Sequence, residues 1–332
     1  MRRVHKVTCL AGDGLGPELM AEASRTLRKV ARMHGFAIDD VHAPFGSEAL
    51  TRSGHPLPAS TRSAVLEAEA VLAADMGEPA LGGVAAQLDL RARLTQVLCR
   101  RGDFMLMSPL DADSEEWTVE QAFRLARARR GRLVSVDGDA EWAALFDSTA
   151  DEHDDVALEQ VSLADAMRAL AFEPRPLDVV VTGTAVAPAL EELATGNEAD
   201  DRLVAFARLA GNGPSVFAPA QREPADGAGH GVADPSSMLL AASLLLGEGL
   251  GERHAAETLR RALRHARING SRPATIRRTL AATTRDFGDA VVSLLPSAHS
   301  NAEFVPSGVG WTEPPRSVGA GFAGPGAGAS AA

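Results

Sequence analysis

The fold is decided by the stretch from residue 4 to residue 18, which reads VHKVTCLAGDGLGPE. Val4–Ala11 has the apolar, β-branched composition of a buried strand. A glycine-rich turn follows, and Glu18–His34 then repeats apolar residues at helical spacing. A buried strand that leads through a glycine turn into a helix predicts an α/β fold with a largely parallel sheet.

The same alternation of strand and helix patterns continues along the chain, which supports the α/β prediction. The apolar periodicity predicts helices at Pro58–Glu69, Thr118–Arg130, Ser162–Phe172, Pro188–Ala194, Pro235–Leu246 and Arg253–Ala266. Short apolar runs predict strands at Ala70–Ala74, Arg132–Val136, Leu177–Thr182 and Val216–Ala218.

The overall composition is that of a soluble globular protein, with 332 residues, 45% hydrophobic residues and a net charge of -11. An acidic chain repels phosphate backbones, which argues against a nucleic-acid partner. No apolar run is long enough to span a bilayer, which argues against a membrane protein. Two cysteines do not suggest a disulfide framework, so we expect a cytoplasmic protein.

Two residue types that often act as acids or bases are scarce. The sequence contains no tyrosine, and its only lysines are Lys6 and Lys29. A general compositional drift of the sequence towards alanine, arginine and glycine accounts for the scarcity of tyrosine and lysine without any functional cause. In either case no tyrosine can serve as an acid, and no lysine beyond residue 29 can serve as a base.

Further segments follow the opening turn in a recognisable order: Pro44–Gly46, Gly54–Thr61, Glu69–Leu72, Leu88–Leu94, Val134–Asp137, Asp155–Glu159, Asp178–Gly183, residues 216–235 and Thr284–Val291. In order and spacing they resemble the isocitrate/isopropylmalate dehydrogenase family, and most of all its 3-isopropylmalate dehydrogenases. The resemblance covers roughly residues 4 to 295. It implies a two-domain fold with a large mixed, mostly parallel sheet flanked by helices.

The family's order of motifs implies a discontinuous first domain. The large domain, which carries the cofactor loop, would comprise residues 1–98 and 199–300. The small domain, for dimerisation and substrate binding, would comprise residues 99–198. The tail at 301–332 is rich in glycine and alanine, cannot bury much apolar area, and is predicted to be disordered.

The family oxidises a 2-hydroxy acid with NAD or NADP and then releases CO2. This chemistry needs arginines that clamp the substrate carboxylates, a divalent metal, and a lysine and tyrosine for proton transfer. The resemblance places Ala85, Thr95 and Ser108 at the three clamp positions and Gly138 at the lysine position. The segment between Pro109 and Val119 is also too short for the family's tyrosine and its dimer-clasping arm.

The metal and cofactor positions are also altered. Of three metal-binding aspartates the resemblance leaves Asp165, replaces the second by Pro188 and changes the third conservatively to Glu192. This incomplete set argues against Mg2+ or Mn2+. In the cofactor loop the candidate contacts are Asp226, Gly229 and Asp234, but bulkier residues at 221–223 replace small ones. NAD therefore stays a candidate cofactor whose binding is open.

Arg93 offers an alternative to the lost clamp. It replaces an asparagine of the family and could reach the cleft, so it is either part of a rebuilt anion site or a structural arginine. Arg91 lies at a position that is not a clamp in the family.

Three functions remain open at this stage. The first is a catalytically impaired member, a pseudoenzyme or a non-catalytic subunit, present as a homodimer or as a heteromer with an active paralogue. The second is an active NAD-dependent 2-hydroxy-acid oxidative decarboxylase, similar to 3-isopropylmalate dehydrogenase, with a rebuilt site. The third is a sensor that binds an unrelated small molecule in the old cleft.

Overall fold

A computed structural model describes residues 2–74, 84–85, 87–99, 102–136, 140–172, 177–196, 202–220, 228–268 and 283–296. The described residues belong to one compact unit that ends at Pro296. The 301–332 tail, Gly138 and Asp226 lie outside the described residues. Within the described ranges, no helix is both long enough and apolar enough to cross a membrane.

Ten strands form one sheet in the order β2-β1-β3-β10-β9-β4-β5-β8-β6-β7. Their bounds are β1 (Val4–Leu10), β2 (Ala37–His42), β3 (Ala70–Ala73), β4 (Leu90–Leu98), β5 (Asp103–Pro109), β6 (Arg132–Val136), β7 (Ala157–Val161), β8 (Val179–Val181), β9 (Leu203–Ala210) and β10 (Ser215–Pro219). The pairings are parallel except at the centre of the sheet. There β9 runs antiparallel to its neighbours β10 and β4, and β4 runs antiparallel to β5. The predicted mixed, mostly parallel sheet is confirmed.

Helices cover both faces of this sheet. In the described part of the chain they are α1 (Gly16–Met33), α2 (Ser47–Ser53), α3 (Ala59–Leu66), α4 (Glu115–Ala128), α5 (Ala140–Ala150), α6 (Leu163–Phe172), α7 (Ala187–Thr195), α8 (Ser236–Leu244), α9 (Arg253–Ile268) and α10 (Thr284–Ser293). The α/β class is thereby confirmed, whereas the division into two domains stays a prediction.

Alternating side chains of the central strands face different helices. Met105 and Met107 of β5 belong to a core that includes residues of α1, α4, α8 and α9. Phe104 and Leu106 belong to a second core, built with residues of α6 and α7. Because side chains alternate across a strand, the sheet has an α9 face and an α7 face, and each β5 residue can be assigned to one of them.

Most predicted elements lie within a few residues of their observed bounds. The helix predicted from Thr118 begins at Glu115, and the strand predicted over Leu177–Thr182 shortens to Val179–Val181. The helix predicted over Pro235–Leu246 ends as an α-helix at Leu244 and continues as one π-helical turn, Leu245–Gly249. The patterns did not predict α5 or the central strands β4, β5 and β9, which are mostly buried and so lack simple alternation.

Candidate functional site

The positions that correspond to the family's clamp lie on β4 and β5. Arg93 is the direct cross-strand partner of Ser108, and Thr95 pairs with Leu106. Leu106 belongs to the core beside α6 and α7, so these side chains share the α7 face. Ala85 lies half-buried in a short described segment before β4. The strand register thus brings Thr95 and Ser108 onto one surface, as the resemblance implied.

A carboxylate of the same chain occupies this surface. Glu191 of α7 accepts a hydrogen bond from Arg93 Nη1 at 2.6 Å and another from the Ser108 hydroxyl at 2.7 Å. The guanidinium carbon of Arg93 also lies 5.9 Å from the centre of the Phe206 ring. The Glu191 side chain is only 16% exposed, which strengthens a charge-assisted pair relative to one in water. Arg93, Ser108 and Glu191 are hereafter the internal clamp.

Thr95 differs from its neighbours because its hydroxyl is fully buried and unpaired. Its Oγ1 has no hydrogen-bond partner, which costs free energy in a closed core. A longer polar side chain at this position could have reached further along the strand surface, whereas threonine does not. Among the described residues, the Thr95 hydroxyl therefore takes no part in the contacts of the internal clamp.

Two arginines lie side by side on adjacent strands. Arg93 of β4 is the cross-strand partner of Arg208 of β9, on the opposite side from Ser108. Like charges that lie directly opposite each other on adjacent strands repel, so a nearby carboxylate is needed to offset the repulsion between Arg93 and Arg208. Glu191 supplies that charge to Arg93. The row Arg208, Arg93 and Ser108 is the one feature that keeps a rebuilt anion site under consideration.

Arg91 is held away from this row. Its Nε donates to Asp89 at 3.1 Å, and Asp89 also accepts from the Asn212 amide at 3.2 Å. The hydrogen bond from Arg91 lowers the pKa of Asp89, whose φ is +47°. Arg91 therefore fixes a strained residue at the start of β4.

Asp165 is exposed near the start of α6. It accepts a hydrogen bond from the Ser162 hydroxyl at 2.7 Å, and Arg168 Nη1 lies 2.8 Å from its other oxygen. The Ser162 hydrogen bond and the charge of Arg168 together lower its pKa. These contacts fit the first turn of a helix, where an acidic side chain is favourable.

Glu192, the other candidate metal ligand, is exposed on α7, and so is Pro188. In the described ranges, neither Asp165 nor Glu192 belongs to a group of three potential metal ligands whose ligand atoms lie close together. A hard divalent cation wants about six oxygen ligands. The described residues of one subunit therefore do not form a complete magnesium site around Asp165 or Glu192.

The structure does bring one unpredicted set of ligand atoms together. Cys9, Asp40 and His42 each place a ligand atom within 4.8 Å of the others, because β1 and β2 pair in parallel. Arg28 binds both oxygens of Asp40, at 2.8 and 2.7 Å. Burial raises the pKa of the Cys9 thiol to about 12, so it stays protonated at neutral pH. A metal ion would need the thiolate and a free carboxylate, so this set does not fit one.

Asp234, predicted to contact a cofactor, is buried before α8. Its Oδ1 accepts from the backbone N–H of Ser236 at 2.9 Å and from the Ser236 hydroxyl, and its Oδ2 lies 3.4 Å from Arg267 Nη1. With 3% exposure and both oxygens in contact with other residues, Asp234 is held by the turn that precedes α8.

Gly229 lies on an exposed turn with a φ of +77°, a backbone conformation that favours glycine. The following residues are tied to the opening turn, since Glu18 accepts from the backbone of Gly231 at 2.9 Å and of Ala233 at 3.2 Å. The loop and the Gly12 turn are therefore neighbours. Whether Gly229 and Asp226 contact NAD stays a prediction.

Comparison with known proteins places this architecture among dehydrogenases. The family model described as isocitrate/isopropylmalate dehydrogenase matches residues 6–101 and 104–291. The 3-isopropylmalate dehydrogenase of a Synechococcus species is 29% identical over 320 residues, which cover 78% of this chain and 90% of that protein. The enzyme of the same name from a Synechocystis species is 27% identical, with 89% and 99% coverage.

Solved structures show the same fold. The β-decarboxylating dehydrogenase of Thermococcus kodakarensis, in its apo form, has a TM-score of 0.73 and 19% identity, over 88% of this chain and 96% of that one. The isocitrate dehydrogenase of Methylococcus capsulatus has a TM-score of 0.68 and 20% identity, with 88% and 100% coverage.

Proposed function

Because the chain belongs to the isocitrate/isopropylmalate dehydrogenase family, we propose that it is a member with impaired catalysis, either a pseudoenzyme or a non-catalytic subunit. The observation that carries this proposal is the internal clamp. Ser108 lies at a position that the family resemblance assigns to the substrate clamp, Arg93 is its cross-strand neighbour, and both already bind Glu191 of the same chain. A substrate would have to displace a carboxylate that is covalently tethered at high effective concentration.

The remaining groups support the same proposal. Acid–base work in this family needs a lysine and a tyrosine, and no tyrosine exists in the sequence. Asp165 is engaged by Ser162 and Arg168. A missing acid or base costs about 10²- to 10⁴-fold in rate, and groups that act as a unit are not restored one at a time.

The test is a hydride-transfer assay. The purified chain with NAD, Mg2+ and 3-isopropylmalate, isocitrate or tartrate should form no NADH above a blank without protein. Calorimetric titration with NAD, with and without Mg2+, separates loss of cofactor binding from loss of chemistry. Steady-state NADH formation that Asp165→Ala abolishes would overturn the proposal.

A second candidate is the active decarboxylase with a rebuilt site, favoured by the row Arg208, Arg93 and Ser108. In that case Glu191→Gln should release Arg93 for a substrate carboxylate and increase binding of 3-isopropylmalate. Glu192→Gln, on the exposed neighbouring position, is the matched control. If Glu191→Gln binds 3-isopropylmalate no more tightly than the parent chain, or if Glu192→Gln gains as much affinity, the rebuilt site is contradicted.

As a non-catalytic subunit, the chain would need a partner, either a second copy or an active paralogue. The exposed side chains of Met167 and Phe172 on α6, and the exposed edge strand β7, provide a surface for it. The sequence predicts an intersubunit bundle of helices Ser162–Phe172 and Pro188–Ala194 whose apolar stripe comprises Leu163, Met167, Leu170, Leu190 and Leu193. Leu170 and Leu190 of this stripe are buried in the subunit's own core and are not available to a partner. Light scattering of the isolated chain tests the homodimer, and a monomer at high concentration leaves only the paralogue.

No arm contributes to that surface. Between β5 and α4 the chain has only residues 110–114, which include one short 3₁₀ turn, Ala112–Ser114. This agrees with the short segment seen in the sequence between Pro109 and Val119. An interface would therefore depend on the helices and on β7.

A further inference from the structure

A pocket of about 570 Å³ opens on the α9 face, between the start of β5, the end of α4 and the helices α8 and α9. Its lining includes five guanidinium groups, which belong to Arg129, Arg130, Arg253, Arg260 and Arg264. We call it the arginine pocket. Asp103 and Met105 of β5 also line it, so it lies on the opposite side of the sheet from Ser108 and the internal clamp.

Three of these arginines are neutralised within the chain. Arg129 Nε donates to the buried Asp178 at 2.8 Å, and Arg130 Nε lies 3.1 Å from the same carboxylate. Arg260 Nε lies 3.2 Å from Asp103 and also pairs with Glu257. These ion pairs form one wall of the pocket and neutralise Arg129, Arg130 and Arg260, which are hereafter its inner arginines.

The other two arginines are not neutralised. Arg253 and Arg264 form no hydrogen bond or ion pair with any described residue, although Arg253 attracts Glu248 at longer range. The Nε of Arg264 is shielded from solvent and still lacks a hydrogen-bond partner. A shielded cationic donor without a partner is costly, and an anion in the pocket would remove that cost.

Glu248 is a carboxylate of the pocket lining that lies near Arg253. It lies on the π-helical turn Leu245–Gly249, a rare backbone form that often marks functional sites. It makes no hydrogen bond or ion pair with the described residues. Burial raises its pKa, against the attraction of Arg253, Arg129 and Arg260. Its ionised form is therefore held at a cost. The other two lining carboxylates, Asp103 and Glu257, pair with Arg260, whereas Glu248 would repel an incoming anion.

We infer that the arginine pocket binds a small polyanion that carries phosphate or carboxylate groups. Guanidinium groups bind both oxyanions through paired N–H donors. The volume suits a small metabolite, and the described lining contains no phenylalanine or tryptophan ring on which a nucleobase could stack.

The pocket joins the two predicted domains, which gives binding a consequence. Its lining comes from residues 102–130, in the predicted small domain, and from residues 243–264, in the predicted large domain. A ligand held by both segments would fix their relative position. A ligand that binds only the folded chain also raises its melting temperature.

The test is calorimetric titration of the full chain with inorganic pyrophosphate and, separately, citrate, at constant ionic strength. We expect one site per chain for at least one anion. Arg264→Gln should weaken binding about tenfold or more, because it removes a charge-assisted contact. Glu248→Gln should tighten binding, because it removes the repelling charge.

Arg261→Gln is the matched control, since Arg261 lies on the same helix, is exposed and does not line the pocket. It should leave the affinity unchanged. Tight binding of pyrophosphate alone assigns the ligand as a phosphate, and of citrate alone as a polycarboxylate. If neither anion binds with defined stoichiometry, or if Arg261→Gln weakens binding as much as Arg264→Gln, the inference is wrong. Should Arg264→Gln fail to fold, the exposed Arg253→Gln replaces it in the same titration.

Discussion

The two faces of the central sheet treat their arginines in different ways. On the α7 face, Arg93 is matched by Glu191, and the second oxygen of that carboxylate accepts from Ser108. On the α9 face, Asp103 and Asp178 neutralise the inner arginines of the pocket, whereas Arg253 and Arg264 have no such partner among the described residues. On the α7 face, the closed surface, the chain's own carboxylate pairs with the cation. On the α9 face, the open surface, two cations have no ion-pair partner among the described residues.

The two surfaces also differ in their relation to the family resemblance. The closed surface carries positions that the family resemblance assigns to substrate binding, and there Glu191 accepts from Arg93 and Ser108. The open surface has no counterpart among the motifs that carry the family resemblance. A surface whose charges are mutually satisfied needs no ligand for stability, whereas the shielded Arg264 Nε, which lacks a hydrogen-bond partner among the described residues, favours one. If the chain binds a small anion, the structure therefore favours the α9 face.

The largest expected effect comes from removing the carboxylate that closes the inner wall of the arginine pocket. Asp178 is 1% exposed and accepts from Arg129 Nε and from the backbone N–H of Arg130 at 2.9 Å. Asp178→Ala would leave Arg129 buried without its main partner. We expect a loss of about 3–5 kcal/mol in the free energy of unfolding, measured by urea denaturation.

Two further variants define that effect. Asp178→Asn keeps an acceptor for Arg129 and should lose less stability than Asp178→Ala. Asp155→Ala removes an exposed carboxylate that pairs with Arg127, and it should not change the urea midpoint measurably. Equal losses in Asp178→Ala and Asp155→Ala would contradict the distinction between buried and exposed pairs.

The next effect opens the internal clamp. Glu191→Ala leaves Arg93 and Ser108 without their shared acceptor. Arg93 is about one-third exposed, so water compensates in part, and we expect a loss of about 1–2 kcal/mol. Glu192→Ala, one position further along the same helix, should have no measurable effect. A Glu191→Ala protein as stable as its parent would mean that the clamp is not a closed pair.

How far the sequence predicted these features depends on how local each one is. The helix α1 and the strand β6 follow from apolar spacing within one segment, and both were predicted closely. The internal clamp joins Arg93 to Glu191, residues 98 positions apart, and depends on the register of β4 and β5 and on how α7 packs. The sequence singled out Arg93 but offered no means of finding its partner.

The arginine pocket shows the same limit more strongly. Its lining comes from two segments that are more than a hundred residues apart, and no local pattern brings them together. The position of Arg129 and Arg130 after a helix suits the helix dipole, but it does not reveal their contact with Asp178. Only the packing of α4 against the α8–α9 segment reveals which arginines keep a partner and which do not.

A smaller effect on stability, which depends on pH, is expected at Glu248 in the arginine pocket. Burial raises the pKa of Glu248 above its usual 4.5, although Arg253, Arg129 and Arg260 oppose the shift. A carboxyl whose folded-state pKa is raised contributes stability below the unfolded pKa and loses it as the pH rises through the folded value. Glu248→Gln lacks this loss. It should therefore be more stable than the parent chain at pH 8, and the difference should close as the pH falls towards 4.5.

Thermal unfolding of both proteins across that pH range provides the measurement. The other ionisable groups of the pocket, Asp103, His254, Glu257 and the arginines, are common to both proteins and cancel in the difference. A difference that grows as the pH falls would have the wrong sign and would show that Glu248 is stabilised as an anion.

The smallest expected effect is at Asp165, the remaining metal-ligand position of the family. Its carboxylate is exposed and contacts only Ser162 and Arg168 among the described residues, and exposed pairs of this kind contribute little. Asp165→Ala should therefore leave the melting temperature unchanged to within error. If Asp165 still helped to bind Mg2+, the cation would raise the melting temperature of the parent chain but not that of the variant. We expect Mg2+ to shift neither protein, because the described residues of one subunit supply no third ligand near Asp165. Repeating the measurement at several protein concentrations includes the case in which a second subunit completes the site, since any stabilisation by Mg2+ would then increase with concentration.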